Sequence, residues 1–323
     1  MNKGLSAGKR RLLILAALGA AILYVAIALA TDAGQLKVAL LQLGVAGGVL
    51  VLGLSGANYA LRFLRWQYYL GLLGRMLPTG RHFAYYLAGF AFTVSPAKAG
   101  EAVRSLYLRN HGVAYAESIA ALFVERLLDL CTMVLLAGLI VVDHEAYRPL
   151  LAGVLALALV AVVAVCQPVV PRWLDALAAR SGRRAARIAA LFANLLRSSR
   201  RLLQPRPLWF GMVAGLLSWG AEGIGFFIIC HTLHLGVSAS TATGIYAIAA
   251  LAGSAVFFLP AGIGGMEIVM TTLLVEQGAA LRIAIIATLL CRLATLWFAV
   301  LLGIGSALAI EFFDQNKPVG TAP

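Results

Sequence analysis

Residues 12 to 30 read LLILAALGAAILYVAIALA, nineteen consecutive positions without a charge. As a helix that run rises about 28 Å, close to the roughly 30 Å hydrocarbon thickness of a bilayer. Runs of this kind recur along the 323 residues, and 62% of the chain is hydrophobic, more than one soluble core can bury. The chain therefore reads as an all-α polytopic membrane protein. The formal charge of +13 does not argue for nucleic acid, because the basic residues are scattered between apolar runs, where they orient spans.

Span lengths and flanks predict about six full transmembrane helices, near 12–30, 38–61, 115–142, 149–167, 207–230 and 282–310. Two apolar pieces are left over, 83–94 before Pro96 and 244–259 before Pro260. As helices they reach only about 18 and 24 Å, short of a bilayer crossing. If the N-terminus with Lys3, Lys9, Arg10 and Arg11 is cytoplasmic, 20 of the 26 basic residues fall on that side. Lys37, Arg148 and Arg282 fall outside, and Lys98, Arg126 and Arg292 at membrane depth. The expectation is a multi-pass protein of the cytoplasmic (inner) membrane with both termini inside. ALAT at Ala28–Thr31 has the look of a signal-cleavage site, but the apolar run is long for a signal peptide and reads better as an uncleaved anchor. Cys131, Cys166, Cys230 and Cys291 lie in separate apolar runs without metal-ligand spacing, as packing residues do.

In this topology the segments around Pro96 and Pro260 are re-entrant and enter from opposite sides. Residues 38–142 and 207–310 then form two inverted halves of a single membrane domain, 1–323. The residues support the pairing: Gly100 and Gly264 each stand four after their proline, Glu101 and Glu267 each 25 before Arg126 and Arg292, and Asn58 and Glu222 each 38 before the proline. Broken segments at matching positions of inverted halves mark a midplane transport site.

Proline removes a backbone donor and glycine permits tight turns, so SPAKAGE and LPAGIGGME suit the end of one half-helix and the start of another. Unpaired N–H groups near Gly100 and from Gly264 through Gly265 to Met266 would favour an anion such as a phosphate. Glu125 and Asp129 lie at i and i+4 in FVERLLDL, with Arg126 able to reach Asp129. Arg292 has no carboxylate within four residues, which makes Glu267 or Glu222 its expected partner. Arg62 and Arg65 follow Asn58 on one stripe and either enter the site or snorkel to the interface. Glu101 and Arg104, three apart, could form a local ion pair. Residues 171–206, with nine basic side chains, read as one amphipathic helix on the anionic inner leaflet. No nucleotide loop, zinc motif or nucleophile elbow is present, so no cofactor or metal is expected.

NYALRFLRWQYYL, SPAKAGEAVRSLYLRN, ALFVERLLDL and LPAGIGGMEIVM, followed by Arg292, resemble the signature blocks of the lysylphosphatidylglycerol synthase transmembrane-region family, also called the flippase-like domain family. The resemblance covers nearly the whole chain. It implies a lipid-headgroup cavity lined at Arg62, Arg65, Pro96, Gly100, Glu101, Arg104, Glu125, Arg126, Asp129, Pro260, Gly262, Gly264, Gly265, Glu267 and Arg292. Bifunctional relatives append a soluble aminoacyl-transferase domain, whereas this chain ends at Pro323, so a transporter rather than an enzyme is expected.

The leading expectation is a translocase that moves a lipid with an anionic or zwitterionic headgroup between leaflets, such as a phospholipid or a polyprenyl-phosphate-linked lipid. Arg126 and Arg292 would hold the headgroup, while Glu101, Glu125, Asp129, Glu222 and Glu267 balance them or carry protons. Two alternatives stay open: a small-solute or ion transporter, and a non-transporting lipid-binding partner of a glycosyltransferase. Membrane lipids are the expected partners, lipid-modifying enzymes a second kind, and a homodimer is compatible with this reading.

Overall fold

The computed structural model describes residues 7–93, 103–109, 111–142, 145, 148–256 and 263–315. Every regular element among them is a helix. Helix α1 is Ala7–Leu72, α2 Thr79–Ala88, α3 Val103–Arg109, α4 Tyr115–Ala137, α5 Arg148–Cys166 and α6 Val169–Arg180. Then come α7 Arg183–Leu202, α8 Pro205–Thr232, α9 Ala239–Ala255, α10 Gly265–Glu276, α11 Leu281–Arg292 and α12 Phe298–Gln315. Pro96, Gly100, Glu101, Pro260 and Gly262, the predicted breaks, lie outside the described residues.

Helix α1 covers both of the first two predicted spans as one helical run of 66 residues. Straight, it would separate Tyr24 from Tyr59 by about 52 Å. Yet the Tyr24 ring lies 5.2 Å from that of Trp297, and Tyr59 donates a hydrogen bond to the carbonyl of Thr295, two residues away. The run therefore folds back on itself between the two tyrosines. Gly44, with φ of +62°, is the one residue of α1 in the left-handed region, where glycine carries no steric penalty. The expected loop over residues 31–37 is thus helical, and the reversal sits further along the chain.

Among the described residues, Ala33–Leu72, Pro205–Thr232 and Leu281–Phe312 are long and apolar enough to cross a membrane. Ala152–Cys166 and Val169–Arg180, bent by 57° at Pro168, make a fourth crossing if taken together. Helix α4 has 23 residues, ample for a span, but carries Glu117, Glu125, Arg126 and Asp129. These features define a polytopic membrane protein.

The predicted single connector helix is instead a pair, α6 and α7, separated at Ser181 and Gly182. The two are tied by Arg197 and Asp175 at 2.7 Å. Ala189, Ala193 and Leu202 of α7 are buried, and Ile188, Leu191 and Phe192 are exposed. Because α7 also packs on α4 and α5, the connector belongs to the folded body.

The core is organised around α1 against α8. Two further contacts cross the molecule in reciprocal fashion: α4 and the 3-10 turn Gly138–Val142 pack on α9, and α12 packs on α2 and the 3-10 turn Gly89–Phe92. Glycine makes the second approach close. A Cβ at Gly303 would fall on the backbone of Phe90 and Ala91, whereas one at Gly305 meets nothing within 4 Å. Gly303→Ala should therefore destabilise the protein by about 1–3 kcal/mol through overpacking, read as a lower thermal unfolding midpoint in detergent, with Gly305→Ala unchanged as the control.

Candidate functional site: a charged cavity between the helices

The stripe Asn58, Arg62, Arg65 on α1 does not snorkel; all three side chains are buried. Asn58 donates through Nδ2 to the carbonyl of Ser218 at 2.9 Å, anchoring α1 to α8. Arg65, with no exposed surface, places Nη2 2.6 Å from Asp129 Oδ1 and 3.5 Å from Glu125 Oε1. Arg104 on α3 reaches Glu125 Oε2 at 2.6 Å. The predicted i, i+4 pair on α4 is thus the acidic centre of a buried ion cluster that draws in α1 and α3.

Neutral donors complete it. Trp219 on α8 donates Nε1–H to Asp129 Oδ1 at 3.0 Å, and Tyr86 donates to Glu125 Oε1 at 3.3 Å. The Arg104 guanidinium lies 3.7 Å from the Trp66 ring centroid, so the charge also faces an aromatic quadrupole. Buried carboxylates and guanidiniums lose several kcal/mol of hydration each and persist only with this kind of close pairing and hydrogen bonding. Arg126 meets Asp129 at 3.6 Å, as its i+3 spacing allows, and is a third exposed.

A second polar group forms where α8 to α12 meet. Arg292 Nε donates to Glu267 Oε1 at 2.7 Å, as expected for the arginine without a local carboxylate. Glu267 Oε2 accepts the N–H of Gly264 at 2.8 Å, so the protein's own carboxylate already occupies the start of α10. This revises the expectation of unpaired N–H groups there. Tyr246 donates to Glu222. Directly after Arg292 the chain makes a π-helical turn, Leu293–Trp297, a rare geometry that frees backbone groups from the regular ladder and recurs at functional sites. The Thr295 carbonyl within it accepts from Tyr59 at 2.5 Å.

Between the two groups lies a cavity of about 80 Å³, room for several waters. Its charged lining is Arg62, Glu222 and Arg292, with Tyr59, Trp219 and Tyr246 among the aromatic walls. The Arg62 guanidinium lies 5.1 Å from the Trp219 ring centroid and 4.0 Å from Glu125, so it bridges the ion cluster to the cavity. Arg65, Arg104, Glu125, Asp129 and Glu267 stand behind this lining, and Arg126 is outside it. Gly264 and Gly265 flank the second group at the start of α10.

Sequence reasoning missed Tyr59, Trp219 and Tyr246. The first two were within reach: Tyr59 adjoins Asn58, and Trp219 precedes Glu222 by one helical turn. Tyr246 comes from α9 and carries no local signal. Among the described residues no cluster of His, Cys, Asp and Glu is arranged to hold a metal.

The class these observations define is an all-helical polytopic membrane protein with a charged, arginine-lined cavity between its helices. The chain belongs to the family described as the lysylphosphatidylglycerol synthase TM region, matched over residues 13–303. This is a membrane domain linked to lipid flipping. No curated protein matches the chain.

The two sets of charges predict different consequences on mutation. Asp129→Asn leaves buried Arg65 with only the longer contact to Glu125, and should cost about 3–5 kcal/mol of stability. Replacing both members by apolar residues, Arg65→Met with Asp129→Leu, should restore most of that loss. Thermal unfolding of the single and double variants in detergent checks this; equal midpoints would show that the pair does not hold α1 to α4.

Proposed function

We propose that the protein moves a lipid with an anionic or zwitterionic headgroup between leaflets, a phospholipid or a polyprenyl-phosphate-linked lipid being the chemical classes that fit. The observation that carries this reading is the cavity lined by Arg62 and Arg292, two guanidiniums brought to one space from helices far apart in sequence. Guanidiniums present donors in a planar fork that suits phosphate oxygens. The headgroup would occupy this polar space while the acyl or prenyl tails stay in lipid.

The reading extends to architecture. Residues 38–142 and 207–310 act as inverted halves with about six crossings and two re-entrant elements. The reciprocal packing of α4 on α9 and of α12 on α2 supports this, as does the central pairing of α1 with α8. Rocking of one half against the other would expose the cavity to each side in turn. Residues 171–206 lie on the cytoplasmic face of the inner membrane, both termini share that side, and lipid-modifying enzymes would supply or consume the cargo.

Reconstitution tests the proposal. In liposomes carrying fluorescent phosphatidylglycerol, the wild-type protein should make inner-leaflet probe accessible to an external quencher. Arg62→Ala and Arg292→Ala should slow this at least tenfold while inserting normally, a loss of the order expected for a charge-assisted contact. Normal exchange by both variants would sink the assignment. Retention of lipid without exchange in any preparation would move the lipid-binding scaffold ahead of the translocase.

A further inference from the structure

We propose that the protein carries a second anion site, apart from the cavity of Arg62 and Arg292, in which Arg197, Arg200 and Arg201 of α7 hold the phosphate group of an anionic lipid.

An open cavity of about 790 Å³ lies where the start of α4, the end of α5 and the last turns of α7 come together. It shares no lining residue with the cavity described above, so it stands or falls separately from the proposed function. Asn194, Arg197, Ser198 and Arg201 follow one another at i, i+3, i+4 and i+7, the spacing of a single helical face. Arg200 joins them in the lining, and three arginines against one carboxylate, Glu117, make that lining net +2.

The carboxylates at this end of the molecule are already engaged. Glu117 Oε2 lies 2.9 Å from Arg75 Nε and accepts the N–H of Ala114 at 3.1 Å. Asp175 on α6 accepts from Arg197 Nη1 at 2.7 Å, and Asn194 accepts from Arg197 Nη2 at 2.8 Å. Arg197 is thereby fixed in position, with donors of its five-donor fork left for a further acceptor. Helix ends add to the field: Ala114 is the N-cap of α4 and Gln204 that of α8, and both line the cavity. Guanidiniums and positive helix ends converging on one space favour a phosphate group.

The neighbouring surface favours a lipid as the source of that phosphate. Cys166 lines the cavity at the end of α5, and Leu159 and Val163, seven and three residues before it, are exposed. That spacing makes one apolar stripe along α5 leading into the cavity. An acyl chain can lie on the stripe while its headgroup sits among the arginines, whereas a soluble anion has no use for it. An occupant reaching both α4 and α7 ties them together, so its binding stabilises the folded protein.

Cys166 is partly exposed while Cys131, Cys230 and Cys291 are buried, so a water-soluble maleimide reports on this cavity. The test measures labelling of Cys166 by peptide mass mapping, and the unfolding midpoint, for the intact protein in neutral detergent. The probes are dihexanoyl phosphatidylglycerol, dihexanoyl phosphatidylcholine and inorganic phosphate. Phosphatidylglycerol should slow labelling and raise the midpoint, and phosphatidylcholine, whose own cation offsets its phosphate, should need at least tenfold more. Raising salt from about 0.1 M to 1 M, which cuts the screening length from about 10 Å to about 3 Å, should weaken both effects. Arg200→Gln with Arg201→Gln should require at least tenfold more phosphatidylglycerol. Arg183→Gln with Arg184→Gln, which removes the same charge about 25 Å away along α7, should not, and Arg292→Ala should keep the wild-type response. Inorganic phosphate acting at the same concentration as the lipid supports the anion site and makes a soluble phosphate its source. The site is overturned if phosphatidylglycerol and phosphate change neither labelling nor midpoint, if phosphatidylcholine equals phosphatidylglycerol, or if the Arg200, Arg201 variant responds as the wild type does. Each of those results leaves the cavity of Arg62 and Arg292 to its own assay in liposomes.

Discussion

Arg65 on α1 and the two carboxylates of α4, Asp129 and Glu125, make a contact that organises the rest of the polar interior. An arginine with no exposed surface can be tolerated inside a membrane protein only where anions and dipoles replace the water it has lost. Asp129 at 2.6 Å and Glu125 at 3.5 Å do this, and each carboxylate then has further lone pairs to satisfy. Trp219 fills one from α8, while Tyr86 and Arg104 fill others from α2 and α3. One buried charge thus recruits five helices. The cavity forms beside this cluster because its wall residues, Arg62 and Trp219, are direct neighbours of the same cluster.

The opposite wall is built differently. There the determining element is backbone geometry: the π-helical turn Leu293–Trp297 follows Arg292, and its Thr295 carbonyl accepts from Tyr59 of α1 as well as from the Phe298 N–H. A regular α-helix through these residues would rotate Arg292 relative to α12. Side-chain charge fixes one wall and a widened helical turn fixes the other. Tyr59 joins the two walls, since its neighbour Asn58 anchors α1 to α8 on the ion-cluster side.

The sequence made the membrane class and the charged positions legible, because uninterrupted apolar runs and rare intramembrane charges are strong signals. The absence of any local carboxylate pointed Arg292 to a distant partner, Glu267 or Glu222, and it meets Glu267. Other relations were out of reach. Glu101, the nearest acid to Arg104 in sequence, lies outside the described residues, whereas the contact of Arg104 with Glu125 depends on a fold that places α3 on α4. The reversal within α1 at Gly44 was misplaced because residues 31–37 look like a loop in composition and are good enough helix formers to continue the turn. Tyr246 and the π-helical turn depend on tertiary packing, to which no local periodicity corresponds.

The two cavity arginines differ in a way that bears on how a cavity of this kind would work. Arg292 is engaged by Glu267 at 2.7 Å, and Glu267 in turn satisfies the N–H of Gly264. A phosphate arriving there would compete with a carboxylate already seated on the same donors. Arg62 is 4.0 Å from Glu125, a carboxylate held more closely by Arg104, and its guanidinium faces the Trp219 ring. A cation against an aromatic face has part of its charge compensated by the ring. On the proposed function, a headgroup phosphate at Arg292 would compete with Glu267. Displacement of Glu267 would loosen the start of α10, where it accepts the N–H of Gly264. Ligand binding would in this way be coupled to movement of the helix beside the predicted break, through a carboxylate that serves as the resting occupant of the anion site.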